Sequence, residues 1–159
     1  MEGHTMEIDM TKAEEFVNWF EGIDVDTIAT SANVRKFFKQ DYQRLMRVAG
    51  VGNSFIKSPV ITDEPKAPSF GNNLEERIVK RVYAKETLER VGEALNTLRD
   101  ESKKILVSVY VDDLNSWEIC ELLGCEKAQY QLKKRKAENE FADAFETCCP
   151  WWKDLHEYK

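Results

Sequence analysis

The chain is expected to be all-α: an N-terminal helical region (1–50), a linker (51–73), a C-terminal four-helix domain (74–147) and an aromatic tail (148–159). Three observations predict this. Apolar residues recur at spacings of three, four and seven along most of the sequence, which is the period of one helix face. Gly and Pro are scarce, at 7 and 4 of 159 residues, and 33% of residues are charged, a composition of charge-rich helical proteins rather than β-sandwiches. Three of the four prolines fall together between residues 50 and 73, where the periodicity stops, as in a linker or extended arm.

The first helix is expected from Thr11 to Phe20. Thr11 and Glu14 have capping-box spacing, Gly22 stands at its end, and Phe16, Val17 and Phe20 form the face expected to be buried. A second runs from about Asp26 to Val48, with Ile28, Val34, Phe37, Phe38, Leu45 and Met46 on its apolar side. After the linker, Leu74, Ile78, Val82, Leu88, Val91, Leu95 and Leu98 make one stripe of a long helix. A break at "RDES" offers Asp100 or Ser102 as cap for "KKILVSVYVDDL", which is apolar nearly all round and therefore expected at the centre.

Asn115 or Ser116 can cap the short helix "WEICELL". Gly124 can end it in a left-handed conformation, and a longer helix begins near Glu126. So short a Gly-containing connection is the arrangement of a helix-turn-helix. Cys120 supplies the small residue such a crossing needs, Ile119, Leu123 and Cys125 flank the turn, and Tyr130, Ala137 and Phe141 point inward. Leu132 lies beside the next expected apolar position, Lys133, which leaves the register of the second helix open by one residue.

Between Lys127 and Lys136 stand five Lys or Arg and no acid, in a chain of net charge −6. On a helix that enters the major groove, N-terminal side chains meet base edges and Lys and Arg meet phosphates. The residues expected to contact DNA are therefore Ser116, Lys127, Gln131, Lys133, Lys134, Arg135 and Lys136. The acids that follow, Glu138, Glu140, Asp143 and Glu146, imply few phosphate contacts.

The segments "NVRKFFKQDYQRL" (33–45), "KSPVI" (57–61), "GNNLEERIV" (71–79), "SKKIL" (102–106) and "QYQLKKRKAENEFADAF" (129–145) resemble the ArpU-type (autolysin regulatory protein) family of phage and prophage late-gene regulators. The central helix, "SWEICELLGC" and the basic helix also resemble the DNA-binding fourth region of bacterial sigma factors. The resemblance implies sequence-specific binding to double-stranded late-promoter DNA in a bacterial host cytoplasm. It also implies activation through RNA polymerase; the N-terminal helices, set apart by the linker, are then expected to be the surface for polymerase or for self-association into a homo-oligomer. The displaced Leu132 departs from the sigma-factor pattern, and the tail "CCPWWKDLHEYK" lies outside the resemblance.

An enzyme is not expected. His4 and His156 sit at opposite chain ends, no Gly-rich phosphate loop follows a strand, and Asp112 and Asp113 lack a third ligand. Cys120, Cys125, Cys148 and Cys149 do not have paired zinc-site spacing and are expected to be buried thiols, so neither metal nor cofactor is expected. No apolar run approaches the roughly 20 residues of a membrane span. Two other functions stay open: a small terminase-like packaging protein that assembles as a ring, and a helical partner protein whose basic decade only faces water. Trp151, Trp152 and Tyr158 either fold back over the core or form an exposed anchor.

Overall fold

The computed structural model describes residues 7–57 and 72–159, and the expectations for residues 1–6 and 58–71, "KSPVI" after Lys57 included, lie outside them. The helices are α1 (Met10–Gly22), α2 (Thr27–Lys36), α3 (Tyr42–Ala49), α4 (Ser54–Lys57), α5 (Asn72–Thr97), α6 (Asp100–Leu106), α7 (Ser116–Leu123) and α8 (Lys127–Cys148). A π-helical turn, Phe37–Asp41, joins α2 to α3 in one rod, and a second, Val107–Val111, extends α6. The described residues contain no strand beyond an isolated antiparallel bridge between Val25 and Tyr158, so the all-α class holds.

Adjacent Phe37 and Phe38 are both 1% exposed, although neighbours on an α-helix diverge by about 100°. The wider π turn accommodates both; the Tyr42 amide reaches back five residues to the Phe37 carbonyl. The second π turn repeats this, the Asp112 amide donating to the Val107 carbonyl at 2.8 Å. Phe38 and Tyr110, one from each π turn, stack with centroids 4.7 Å apart and planes 6° from parallel. Phe141 of α8 lies 4.8 Å from Phe38, and Phe145 lies 5.0 Å from Phe37. Leu88, Val91 and Leu95 of α5 and Ile105 and Leu106 of α6 complete one core, shared by residues before and after 58–71.

Local chemistry departs from expectation at three places. Asp9, not Thr11, caps α1, its carboxylate accepting from the Thr11 amide at 2.9 Å. A carboxylate two residues before the amide needs no Glu14, so the capping box is not used. Phe16, Val17 and Phe20 are 56%, 47% and 63% exposed, because no other helix among the described residues buries a residue of α1. Ile28 and Val82 likewise face water. At the start of α6 the cap position is Arg99, without a side-chain bond; Asp100 is already helical and Ser102 is buried.

The tail folds back. Trp152 sets its ring 5.5 Å from Phe37, edge to face, and Leu155 is buried. Trp151 stays half in water while its indole N–H donates to Thr87 Oγ1 at 2.9 Å. Residues 155–159 then lie along the N-terminus of the first rod. The Asn33 side chain donates to the Leu155 carbonyl at 3.0 Å, the Glu157 amide to Thr30 Oγ1 at 3.0 Å, and the Asp26 amide to the Glu157 carbonyl at 2.8 Å.

Candidate nucleic-acid interface

Asn115 begins α7, its side chain accepting from the Glu118 amide at 3.1 Å. Gly124 ends it at φ 65°, the left-handed conformation that costs a side-chain-bearing residue strain. Glu126 and Gln129 then form a reciprocal capping box that starts α8. Ile119 and Tyr130 are buried on either side of the turn, and Cys120, Leu123 and Cys125 are half-buried against the same core. Tyr130, Ala137 and Phe141 all point inward and Leu132 is 63% exposed, so the register holds and Leu132 is an outward residue.

The basic decade divides into two groups. Lys127, Gln131 and Lys136 are exposed, together with Ala128 and Gln129. Lys133, Lys134 and Arg135 are half-buried and engaged. Lys133 Nζ pairs with Glu101 of α6 at 3.1 Å. Lys134 sits 5.8 Å from the centre of the Tyr110 ring. Arg135 lies where α2 crosses, its carbonyl taking a bond from Ser31 Oγ at 3.4 Å and another from Asn139 at 2.9 Å. Asn139 also donates to the Thr27 carbonyl at 3.0 Å, which fixes α2 across the middle of α8. Ser116 is half-buried at the start of α7, apart from these contacts.

Beneath the crossing lies Glu138, 1% exposed, accepting a short hydrogen bond from the Tyr110 hydroxyl. Burial pushes its carboxyl above the ordinary carboxylate range, against the pull of the Tyr110 bond, Lys134 and Arg35. Burial holds the Lys134 ammonium below its usual range, with Arg35 and Lys39 adding to the depression and Glu138 opposing it. Both groups thus shift toward their neutral forms, as charges drawn out of water do. Glu138 is not a solvated acid beside the basic face; it is an interior group beneath it.

Arg35 and Lys39 are the residues that reading the motif alone does not find. Both are exposed, one in the last turn of α2 and the other in the π turn, and both lie close enough to act on Lys134. The visible signal was the run "RKFFK", but only tertiary packing brings it to α8.

At the other end of α8, His156 Nε2 meets Asp143 at 2.7 Å and Nδ1 meets Asp154 at 2.5 Å. Burial lowers the imidazole pKa, but the bonds to Asp143 and Asp154 outweigh it and the net shift is upward. Glu146, Asp154 and His156 each bring one ligand atom within 4.8 Å of the others, the set among the described residues that could hold a metal ion. As it stands, both imidazole nitrogens face these acids. Cys149 is buried and its thiol is pushed up to about 11 by burial; Cys120 and Cys148 are half-buried and shifted upward for the same reason. No helix among the described residues is long and apolar enough to cross a membrane.

Residues 70–142 match the model of a family described as "Protein of unknown function (DUF1492)". The "Putative autolysin regulatory protein ArpU" of Enterococcus hirae is 34% identical over 124 residues, covering 77% of this chain and 90% of that protein. No solved structure matches the chain.

Proposed function

The chain belongs to the family of the autolysin regulatory protein ArpU, and from that premise we propose that it is a phage or prophage transcriptional regulator that binds late-gene promoter DNA. In this reading α7 and α8 are a helix-turn-helix of the sigma region-four kind, and bound protein activates transcription together with RNA polymerase. One observation carries it. Past a left-handed Gly124 turn, α8 exposes Lys127, Gln131 and Lys136 on a stretch, 127–136, that holds five Lys or Arg and no acid.

The roles follow from exposure. Gln131 is placed for a base edge, since it is exposed one turn into the helix, and an amide can pair bidentately with adenine. Lys127 and Lys136, with Arg35 and Lys39 alongside, supply phosphate contacts. Lys133 and Lys134 serve the fold first, because one is ion-paired and the other lies against Tyr110.

Selection of bound duplexes from a random pool tests the reading. An enriched motif is expected. Gln131→Ala should then cost about 1 to 3 kcal/mol on that motif and relax preference at one or two base pairs. Lys127→Ala and Arg35→Ala should weaken all sequences alike, and each should shallow the salt dependence by about 0.9 log units per log salt for every phosphate left unneutralised. No shift of any duplex at low salt would overturn the proposal.

A further inference from the structure

Among the described residues, helix α1 has an apolar face that no other helix buries, and only Tyr158 and Lys159 of the tail share a cleft with its C-terminal end. Phe16, Trp19 and Phe20 are 56%, 62% and 63% exposed. Within this face the Phe16 ring has its centroid 5.9 Å from that of Trp19 and 5.8 Å from that of Phe20. A 13-residue helix is marginal in water without a surface to bury against. Phe16, Trp19 and Phe20 stand at i, i+3 and i+4, the anchor spacing of a helix laid in a groove.

The same fold carries a groove of that kind. Between α3 and α5, Leu45, Val48, Val79, Tyr83 and Trp151 line a cleft of about 520 Å³. One wall runs from Asp41, the last residue of the π turn, along α3 to Val48 and the other along α5 from Val79 to Thr87, each about two turns, long enough to seat the turn that carries Phe16, Trp19 and Phe20. Arg44 and Lys80 stand on its walls with one acid, Asp41, and Arg47 is exposed nearby. Around α1 the charges are of the opposite sign: Glu7, Asp9, Glu14, Glu15 and Glu21, against Lys12. The segment after α1 is tied to the tail, the Asp26 amide on the Glu157 carbonyl and the Lys159 amide on the Asp24 carbonyl, both at 2.8 Å.

We propose that α1 docks into the α3–α5 groove of a second copy of this chain. Two such contacts exchanged about a two-fold axis close into a dimer. The apolar anchors supply the affinity, and the acidic flanks against Arg44 and Lys80 set the direction of the helix. The inference does not depend on DNA binding, and its test contains no DNA.

Sedimentation of the full chain over a concentration series should show a dimer. Phe16→Ala with Trp19→Ala removes the anchors, and Tyr83→Arg blocks the groove. Each should weaken association by about tenfold or more while leaving the thermal melt of the monomer unchanged, because all three positions are exposed. Mixing the anchor-deleted copy with the groove-blocked copy should give a one-to-one complex, since one intact helix still finds one intact groove. Glu15→Arg should weaken the dimer and Arg44→Glu in the same chain should restore it. A wild-type chain that stays monomeric would overturn the proposal. So would association that survives Tyr83→Arg, or mixed variants that fail to pair, which would mean that α1 packs against another α1 or serves a different partner.

Discussion

Glu138 and Lys134 are four residues apart on α8 and have surrendered most of their water. Removing one partner of such a pair leaves the other, and the Tyr110 hydroxyl, without compensation. Glu138→Ala should cost about 3 kcal/mol in urea denaturation. Because the carboxyl sits above its ordinary range, the folded state holds its proton more tightly than the unfolded chain does. Stability therefore declines as pH rises from the ordinary carboxylate range through the folded value, and Glu138→Gln should remove that share of the decline. His156 also has a raised pKa, but its window lies higher. Its contribution is complete below about 6.5 and lost as pH climbs through the folded value. Protection factors at the Glu157 and Lys159 amides, with the intrinsic pH dependence of exchange divided out, should fall on the alkaline side, and His156→Gln should remove that fall. At this scale charge misleads: Glu138 counts as a surface acid by type, whereas its eight-residue spacing from Tyr130 puts it on the inward side.

Among elements, α7, the turn and α8 were legible in the sequence because each signal there is local. Asn115 needs only the next helical turn to cap, and Gly124 needs only its own φ. A Cβ at Gly124 would meet nothing within 4 Å, so Gly124→Ala tests the backbone alone and should cost about 1 kcal/mol by thermal melt. The inward set Tyr130, Ala137 and Phe141 followed from helical period. What period cannot supply is the partner of a face. Phe16, Val17 and Phe20 have the pattern of a buried stripe and Ile28 that of a core residue, yet in a single copy all four meet water. The same limit hid Arg35 and Lys39, whose place beside Lys134 depends on how α2 crosses α8.

Across the whole molecule, the low-periodicity stretch after Gly50 is a boundary in sequence but not in packing. Val34, Phe37, Phe38 and Tyr42 belong to the core that Tyr110, Phe141 and Phe145 complete. A fragment comprising residues 72–159 should therefore lose cooperative unfolding, seen as a broad, shallow transition by circular dichroism. Phe38→Ala, which strips the ring between Tyr110 and Phe141, should cost about 4 kcal/mol and shift one common transition rather than split it. Aromatic residues predicted that a core exists; that the two rods meet there through their π turns was invisible, because no apolar repeat announces a turn that gains a residue.

That gained residue acts as a phase setting. Upstream of it the first rod carries Arg35, and downstream it carries Leu45 and Val48. Excising one residue, such as exposed Gln40, would heal the rod into uninterrupted α-helix and swing everything beyond it by about 100°. The cationic edge and the apolar cleft would then lose their fixed bearing on one another, so a single extra peptide unit decides in which directions this rod offers its two surfaces.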